Sequence, residues 1–288
     1  MPPPPSSDAP IGVFDSGIGG LSVLRALQGL LPQEDFVYMA DSGFAPYGER
    51  GDNHVVARTL HVAQTLRDRH RIKALVVACN TATAAAIHLL RAAHPELLLV
   101  GVEPAVKPAL AVTRTGRIAV LGTRGTVTSA KFKALMAPLQ SRAAFSVQPC
   151  DGLASAIEDE LRLPGSGESN APNTIALCRR YTTAAGTFGT QNSEIDTLVL
   201  GCTHYVFAAP ALRALVGPQV MLIDTGEPVA RQTQRLLAQH GLLKPDTAGP
   251  GRLELVSTGD LGLLRAAAGR WLGIDAGRGA AAAVAAAA

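Results

Sequence analysis

Short apolar runs alternate with segments of helical periodicity along most of the chain. The runs at residues 11–14, 36–40 and 75–78 are rich in β-branched or bulky apolar residues, and a longer helix-like segment follows each of them. Parallel strands are apolar on both faces because helices cover both sides of the sheet, and each parallel connection needs a crossover, usually a helix. This repeated order predicts an α/β fold with mainly parallel sheets.

The two halves of the chain repeat this order with similar motifs. Residues 11–16 are similar in character to residues 118–123, and residues 75–81 to residues 198–204. We therefore predict two similar α/β domains with an active-site cleft between them. The predicted segments are 11–102 plus 209–275 for a discontinuous first domain, 103–208 for the second domain, and 1–10 and 276–288 as disordered tails.

Composition excludes several classes of protein. The net charge of +3 comes from scattered Lys and Arg, without the basic block typical of nucleic-acid binding. No signal peptide and no apolar run of about 20 residues is present, so we expect a cytoplasmic protein that does not enter a membrane. The four Cys form neither a disulfide framework nor a Cys-x-x-Cys metal site, which favours reduced thiols.

No cofactor or metal is expected. The histidines assigned to helix surfaces lack metal-ligand spacing with any carboxylate, and these are His54, His61, His88 and His94. None of the lysines lies in a convincing pyridoxal-phosphate motif.

Two cysteines occupy matching positions. Cys79 and Cys202 each follow an apolar run and precede a helix-like segment, where open α/β sheets bind ligands. A helix amino terminus at this point stabilises a thiolate. Two thiols facing one pocket can remove a proton from one face of a carbon and deliver a proton to the other, as in a two-base racemase. The alternative is a pair of structural core cysteines, the role assigned to Cys150 and Cys178.

Polar residues near these cysteines have a functional and a structural interpretation. Asp15 can orient a thiol or pair with a substrate ammonium group, or it can cap the following helix. His204 can assist Cys202, or it can be a hydrogen-bonded histidine of a surface loop. Glu158 can face the cleft from a helix at 152–162, although its position alone favours a solvated helix face. Small donors suited to carboxylate oxygens are Ser16, Asn80, Thr81, Thr123 and Thr203.

Together these motifs resemble the glutamate racemase family of the cofactor-independent aspartate/glutamate racemase superfamily. The resemblance extends over about residues 11–272. The motifs that carry it are Phe14-Asp15-Ser16-Gly17-Ile18-Gly19-Gly20, Asp41 with Pro46-Tyr47-Gly48, Ala78-Cys79-Asn80-Thr81-Ala82-Thr83, Gly101-Val102-Glu103-Pro104-Ala105, Leu121-Gly122-Thr123 with Gly125-Thr126, Gly201-Cys202-Thr203-His204-Tyr205, and Ser257-Thr258-Gly259-Asp260.

The resemblance implies a racemase that interconverts L- and D-glutamate and supplies D-glutamate for peptidoglycan. It implies that Cys79 takes the proton from D-glutamate and Cys202 from L-glutamate, with Asp15, His204 and Glu158 completing the catalytic set. The residues implied to line the substrate are Asp15, Ser16, Pro46, Tyr47, Gly48, Asn80, Thr81, Thr123, Thr203 and His204. The chain departs from the family where Asp151 and Val206 replace prolines.

Three alternatives stay open at this stage. One is a racemase of the same superfamily that acts on aspartate or a hydantoin, against which Thr203-His204 and the Pro-Tyr-Gly loop argue. Another is a small-ligand binding protein of the same shape without chemistry, and the third is a pyridoxal-phosphate racemase. The expected partner is glutamate itself, and a homodimer is the candidate assembly.

Overall fold

Two parallel sheets form the framework of the molecule. The computed structural model describes residues 6–160, 171–247, 249–273 and 281–283. The strands are β1 (Ile11–Asp15), β2 (Phe36–Ala40), β3 (Ala74–Val77), β4 (Leu98–Gly101), β5 (Arg117–Gly122), β6 (Ala144–Pro149), β7 (Thr197–Gly201), β8 (Met221–Ile223), β9 (Leu253–Ser257) and β10 (Ala281–Ala283). The first sheet has the order β10-β9-β2-β1-β3-β4 and the second has the order β6-β5-β7-β8, with parallel pairing throughout.

Helices connect the strands and cover the sheets. They are α1 (Leu21–Leu30), α2 (Asp52–His70), α3 (Asn80–Ala93), α4 (Val106–Val112), α5 (Arg124–Val127), α6 (Ala130–Met136), α7 (Leu153–Asp159), α8 (Pro172–Ala185), α9 (Ala209–Val216), α10 (Gly226–Gln239) and α11 (Leu261–Leu272). Every residue of β1, β2, β3 and β7 is buried, as expected for strands covered on both faces. The predicted fold, with two α/β domains and parallel sheets, is confirmed.

In the structure the second domain extends further along the chain than its predicted end at residue 208. Strand β8 pairs with β7 in the second sheet, and α9 packs against α8. The chain returns to the first sheet only with α10, which packs against α1, and with β9, which pairs with β2. The predicted boundary at 208/209 therefore separates one helix and one strand from the sheet to which they belong.

Parts of both predicted tails are ordered. Backbone carbonyls of Ser7 and Pro10 accept hydrogen bonds from Lys73, and β10 lies parallel to β9. Residues 6–10 and 281–283 therefore differ from the predicted disordered tails. The rest of those tails, residues 1–5, 276–280 and 284–288, lies outside the described residues.

One histidine assigned to a helix surface is buried instead. His94 follows the last turn of α3 and is 5% exposed, with Nδ1 at 2.7 Å from the Arg67 guanidinium. Its side chain packs between α3 and α2, a contact between neighbouring helices that local spacing does not encode.

Candidate active site

A cleft opens at the carboxyl ends of β1, β3, β5 and β7. Asp15 ends β1, Cys79 follows β3, Thr123 follows β5 and Cys202 follows β7. Because parallel strands end at the same edge of a sheet, residues distant in sequence meet there. The cleft is lined by all of the residues that the sequence assigns to the site, namely Asp15, Ser16, Pro46, Tyr47, Gly48, Cys79, Asn80, Thr81, Thr123, Glu158, Cys202, Thr203 and His204.

Cys79 is buried at the amino terminus of α3. Its Sγ accepts a hydrogen bond from the Ala82 backbone N–H at 3.5 Å and lies 3.7 Å from Ser16 Oγ. Burial raises the pKa of the Cys79 thiol well above its usual value, and the Asp15 carboxylate raises it further. The helix terminus lowers that pKa, as predicted, but burial outweighs it, so Cys79 is a protonated thiol at neutral pH.

Cys202 lies beside a histidine that a carboxylate holds in place. The Cys202 Sγ is 3.7 Å from His204 Nδ1, and His204 Nε2 is 2.7 Å from Glu158 Oε1. Burial by itself lowers the pKa of His204, but hydrogen bonds to Cys202 and Glu158 raise it well above 6.5. His204 is thus buried between a thiol and a carboxylate and is not a surface-loop histidine, and its raised pKa favours the imidazolium form.

Asp15 contacts both the turn before α1 and the second domain. Its carboxylate accepts hydrogen bonds from the backbone N–H groups of Ser16, at 2.6 Å, and of Gly20, directly before α1. The same carboxylate accepts a hydrogen bond from Thr203 Oγ1 of the second domain at 3.2 Å. Burial raises the pKa of Asp15, the His204 charge lowers it and the Glu158 charge raises it. Asp15 therefore fixes the turn before α1 and is coupled electrostatically to His204 and Glu158.

Helix α7 directs Glu158 into the cleft, so the solvated helix face favoured by its position is wrong. Glu158 Oε1 also accepts a hydrogen bond from the Ile18 backbone N–H at 2.9 Å. A Cβ at Gly17 would overlap Glu158 Oε1, and a Cβ at Gly19 would overlap His204 Nδ1. These glycines are needed because charged side chains of the second domain approach the backbone of the first.

Neutral hydrogen-bonding side chains also line the cleft. Thr81 Oγ1 and Thr123 Oγ1 are 2.9 Å apart across the domains, and Thr126 Oγ1 lies 2.9 Å from Thr123 Oγ1. The Asn80 side chain is buried, and neither of its polar atoms has a hydrogen-bond partner among the described residues. An unsatisfied buried amide is costly, which makes Asn80 a group that a polar ligand would satisfy.

A comparison of the sequence with known protein families identifies the family. A model of the Asp/Glu/Hydantoin racemase family matches residues 18–233.

The chain belongs to this family.

Similar racemases match over nearly the whole length of the chain. A glutamate racemase from Ectopseudomonas mendocina is 48% identical over 260 residues, which cover 90% of this chain and 93% of that protein. The glutamate racemase isoform RacE1 from Bacillus anthracis matches with a TM-score of 0.81 at 29% identity, covering 96% of this chain and 98% of that one. The Escherichia coli glutamate racemase, solved with L-glutamate and the activator UDP-MurNAc-ala, has a TM-score of 0.80 at 27% identity, with the same shares covered.

Some residues of this racemase-family cleft were not predicted from the sequence. Cys150, assigned to the core, also lines the cleft, whereas Cys178 is buried away from it, with burial raising its pKa to about 12. The other unpredicted lining residues are Ser42, Ala45, Glu49, Arg124, Asp151, Gly152, Ala154, Ser155 and Asp159. Four of them, Ala45, Glu49, Arg124 and Asp159, directly adjoin predicted residues in the sequence, and that adjacency is the signal that could have found them.

Among the described residues, no helix combines the length and apolarity needed to cross a bilayer. The same residues include no group of three or more His, Cys, Asp and Glu placed to hold a metal ion.

Proposed function

We propose that this chain is a glutamate racemase, which interconverts L- and D-glutamate with Cys79 and Cys202 as its acid/base pair and without a cofactor. The observation that carries the proposal is the position of these two thiols, one from each domain, on a single cleft at the carboxyl ends of β3 and β7. The names of the similar proteins, and L-glutamate in one of their structures, support glutamate as the substrate.

The electrostatics of the two thiols suit the conversion of L-glutamate. Cys202, 3.7 Å from His204 Nδ1, is the base that takes the Cα proton, and Cys79, whose pKa is raised by burial and by Asp15, delivers a proton to the opposite face. One C–H bond breaks and one forms, so a turnover leaves Cys202 protonated and Cys79 as the thiolate. That state is the one that acts on D-glutamate.

The remaining residues of the cleft bind the substrate or hold other side chains of the site in place. Glu158 holds His204, and Asp15 holds Thr203 and is available to the substrate ammonium group. Carboxylate oxygens of glutamate would be bound by neutral donors, among which Asn80 is the unsatisfied buried group. Ser16, Thr81 and Thr123 add hydroxyl groups, and Pro46-Tyr47-Gly48 forms a wall.

The cellular assignment follows from this activity. D-glutamate is a component of peptidoglycan, so we place the chain in cell-wall synthesis and in the cytoplasm, where thiols stay reduced. A homodimer is the assembly we propose, and sedimentation of the purified protein tests it.

A circular-dichroism assay tests the activity. Dialysed protein without added cofactor should bring D-glutamate to a racemic mixture, and aspartate should be unchanged. The variants Cys79→Ala and Cys202→Ala should lose at least about 10²–10⁴-fold in rate, the usual contribution of a positioned acid or base. Cys178→Ala, outside the cleft, should remain active. A constant signal with D-glutamate, or racemisation of aspartate instead, would contradict the proposal.

Solvent deuterium tests the use of two bases. In heavy water the product should carry deuterium at Cα from the first turnovers, and recovered substrate should stay largely unlabelled, because the thiol that donates differs from the thiolate that accepts. A single swinging base would return exchanged protons to the face they left. Equal labelling of substrate and product would therefore exclude the two-thiol mechanism.

A further inference from the structure

An exposed ion pair stands at the rim of the cleft, and no step of the proposed reaction uses it. Arg124 Nε and Nη2 lie 3.1 and 2.5 Å from Asp151 Oδ2, and the two side chains are 56% and 42% exposed. Arg124 directly follows Thr123, and Asp151 directly follows Cys150. Both side chains line the cleft at its entrance.

The Asp151 side of the pair is anchored across the cleft. The Gly152 backbone N–H donates a hydrogen bond to the Glu49 carboxylate of the first domain at 2.9 Å. Gly152 has a φ of 76°, a left-handed conformation that favours glycine. The turn that carries Asp151 is thus tied to the first domain at Gly152.

The charged side chains that line the cleft are mostly negative. Among the described lining residues the carboxylates are Asp15, Glu49, Asp151, Glu158 and Asp159. In the same set, the cations are His204, which is buried between Cys202 and Glu158, and Arg124. Glutamate has two carboxylates and one ammonium group, so this field repels its net negative charge. Arg124 is the cation that such an anion meets first.

We propose that Arg124 recruits the dicarboxylate substrate and that Asp151 limits this function by competing for the guanidinium. The inference rests on the proposed function and adds a residue that determines substrate entry. Exposed ion pairs are weak, so a substrate carboxylate can replace Asp151 with little loss. A planar guanidinium binds a carboxylate through two parallel hydrogen bonds, which suits it for this exchange. Arg124 then acts before the chemistry and not in it.

Two substitutions with opposite expected effects test the proposal. Arg124→Gln should lower kcat/KM for glutamate about tenfold at low ionic strength with little change in kcat, the lower end of electrostatic steering effects. Asp151→Asn should raise kcat/KM because it frees the guanidinium. Added salt should reduce kcat/KM of the parent protein, and this dependence should be weaker in Arg124→Gln, because the Debye length falls from about 30 Å at 0.01 M to about 10 Å at 0.1 M.

A second exposed pair supplies matched controls. Arg231 and Glu227 form an ion pair on α10, 72% and 70% exposed, and neither lines the cleft. Arg231→Gln and Glu227→Gln make the same changes of net charge and should leave kcat/KM and its salt dependence at parental values.

A titration separates this proposal from the proposed function. Glutarate has two carboxylates and no Cα ammonium group, so it cannot be racemised, and calorimetry measures its binding without turnover. Weaker binding by Arg124→Gln and tighter binding by Asp151→Asn support recruitment even in a chain that does not racemise glutamate. Recruitment is overturned if the parent does not bind glutarate, if Arg124→Gln behaves as Arg231→Gln does, if it lowers kcat alone, or if both rim substitutions weaken binding.

Discussion

At the scale of single residues, the two proposed acid/base groups have different surroundings. Cys79 is buried near the Asp15 carboxylate, whereas Cys202 is next to His204. The raised pKa of His204 depends on the hydrogen bonds to Cys202 and Glu158. The protonation of His204 therefore links activity and stability to pH.

Glu158→Gln should make His204 lose its proton at lower pH. Glutamine retains an oxygen for the Ile18 N–H but has no charge to stabilise the imidazolium. The alkaline limb of kcat/KM should move toward neutral pH, by the same amount for both enantiomers because the equilibrium constant of racemisation is one. Since the folded pKa of His204 is raised, its contribution to stability is fully present below about pH 6.5 and is lost as pH rises through the folded value.

Urea unfolding at several pH values measures this contribution. The difference in free energy of unfolding between the parent protein and Glu158→Gln should be largest below pH 6.5 and should shrink at alkaline pH. A difference that grows with pH would show that His204 is neutral in the native state.

Gly19 is the residue at which added volume should disturb the site most directly. Gly19→Ala places a Cβ against His204 Nδ1 and Thr203 Oγ1. Displacement of a catalytic group by about 1 Å can cost about 10²-fold in rate, so we expect a loss of that order in kcat/KM. Gly29→Ala in α1 is the control, because nothing lies within 4 Å of its Cβ and alanine favours a helix by about 0.5–1 kcal/mol. Full activity of Gly19→Ala would mean that His204 can move without consequence.

At the scale of elements, one buried carboxylate connects three segments of the first domain. Asp41 follows β2 and accepts hydrogen bonds from Arg58 of α2 at 2.9 and 3.0 Å, from Tyr47 Oη at 2.5 Å and from Thr258 Oγ1 at 2.9 Å. Thr258 directly follows β9. The Pro46-Tyr47-Gly48 wall is therefore held by residues on α2 and after β9.

Arg58→Gln should destabilise the protein by about 3 kcal/mol, because it leaves the Asp41 carboxylate buried without its cation. The KM for glutamate should rise as the Tyr47 wall loosens. Thermal or urea unfolding measures the first effect, and steady-state kinetics measures the second. Arg231→Gln, in the exposed pair on α10, should change stability by less than about 1 kcal/mol. A similar loss of stability in Arg58→Gln and Arg231→Gln would contradict the larger contribution assigned to the buried ion pair of Arg58 and Asp41.

At the scale of the whole molecule, polar contacts cross the cleft from both of its walls. They join Asp15 to Thr203, Ile18 to Glu158, Glu49 to Gly152 and Thr81 to Thr123. One cluster of buried apolar residues also includes members of both sheets, such as Val76 and Leu200. A ligand in the cleft should therefore stabilise both domains together.

Glutamate at about 100 times its Kd should stabilise the protein by about 2.7 kcal/mol. We expect one thermal transition that moves upward by several degrees, measured by calorimetry. Alanine, which has no side-chain carboxylate, is the control and should shift Tm less at the same concentration. Two transitions, of which glutamate moves only one, would place the binding site within a single domain.

Several features follow from local sequence alone. The predicted run at 36–40 coincides with β2, and those at 11–14 and 75–78 overlap β1 and β3, because continuous apolar patterns specify them. The positions of Cys79 and Cys202 at strand ends also follow from local order. The short helices α4 and α9 were not predicted, since seven or eight residues carry too little periodicity.

Only the tertiary structure decides which distant groups meet. A strand of three residues, β8, has the same apolar pattern whichever sheet it joins, so the sequence could not assign it. The ion pair between His204 and Glu158 depends on how α7 packs against the turn after β7. The pKa of the Cys79 thiol shows the same limit. The helix terminus that favours a thiolate can be recognised in the sequence. The burial that outweighs it arises only in the folded chain, where Cys79 belongs to a cluster of buried apolar residues of the first domain.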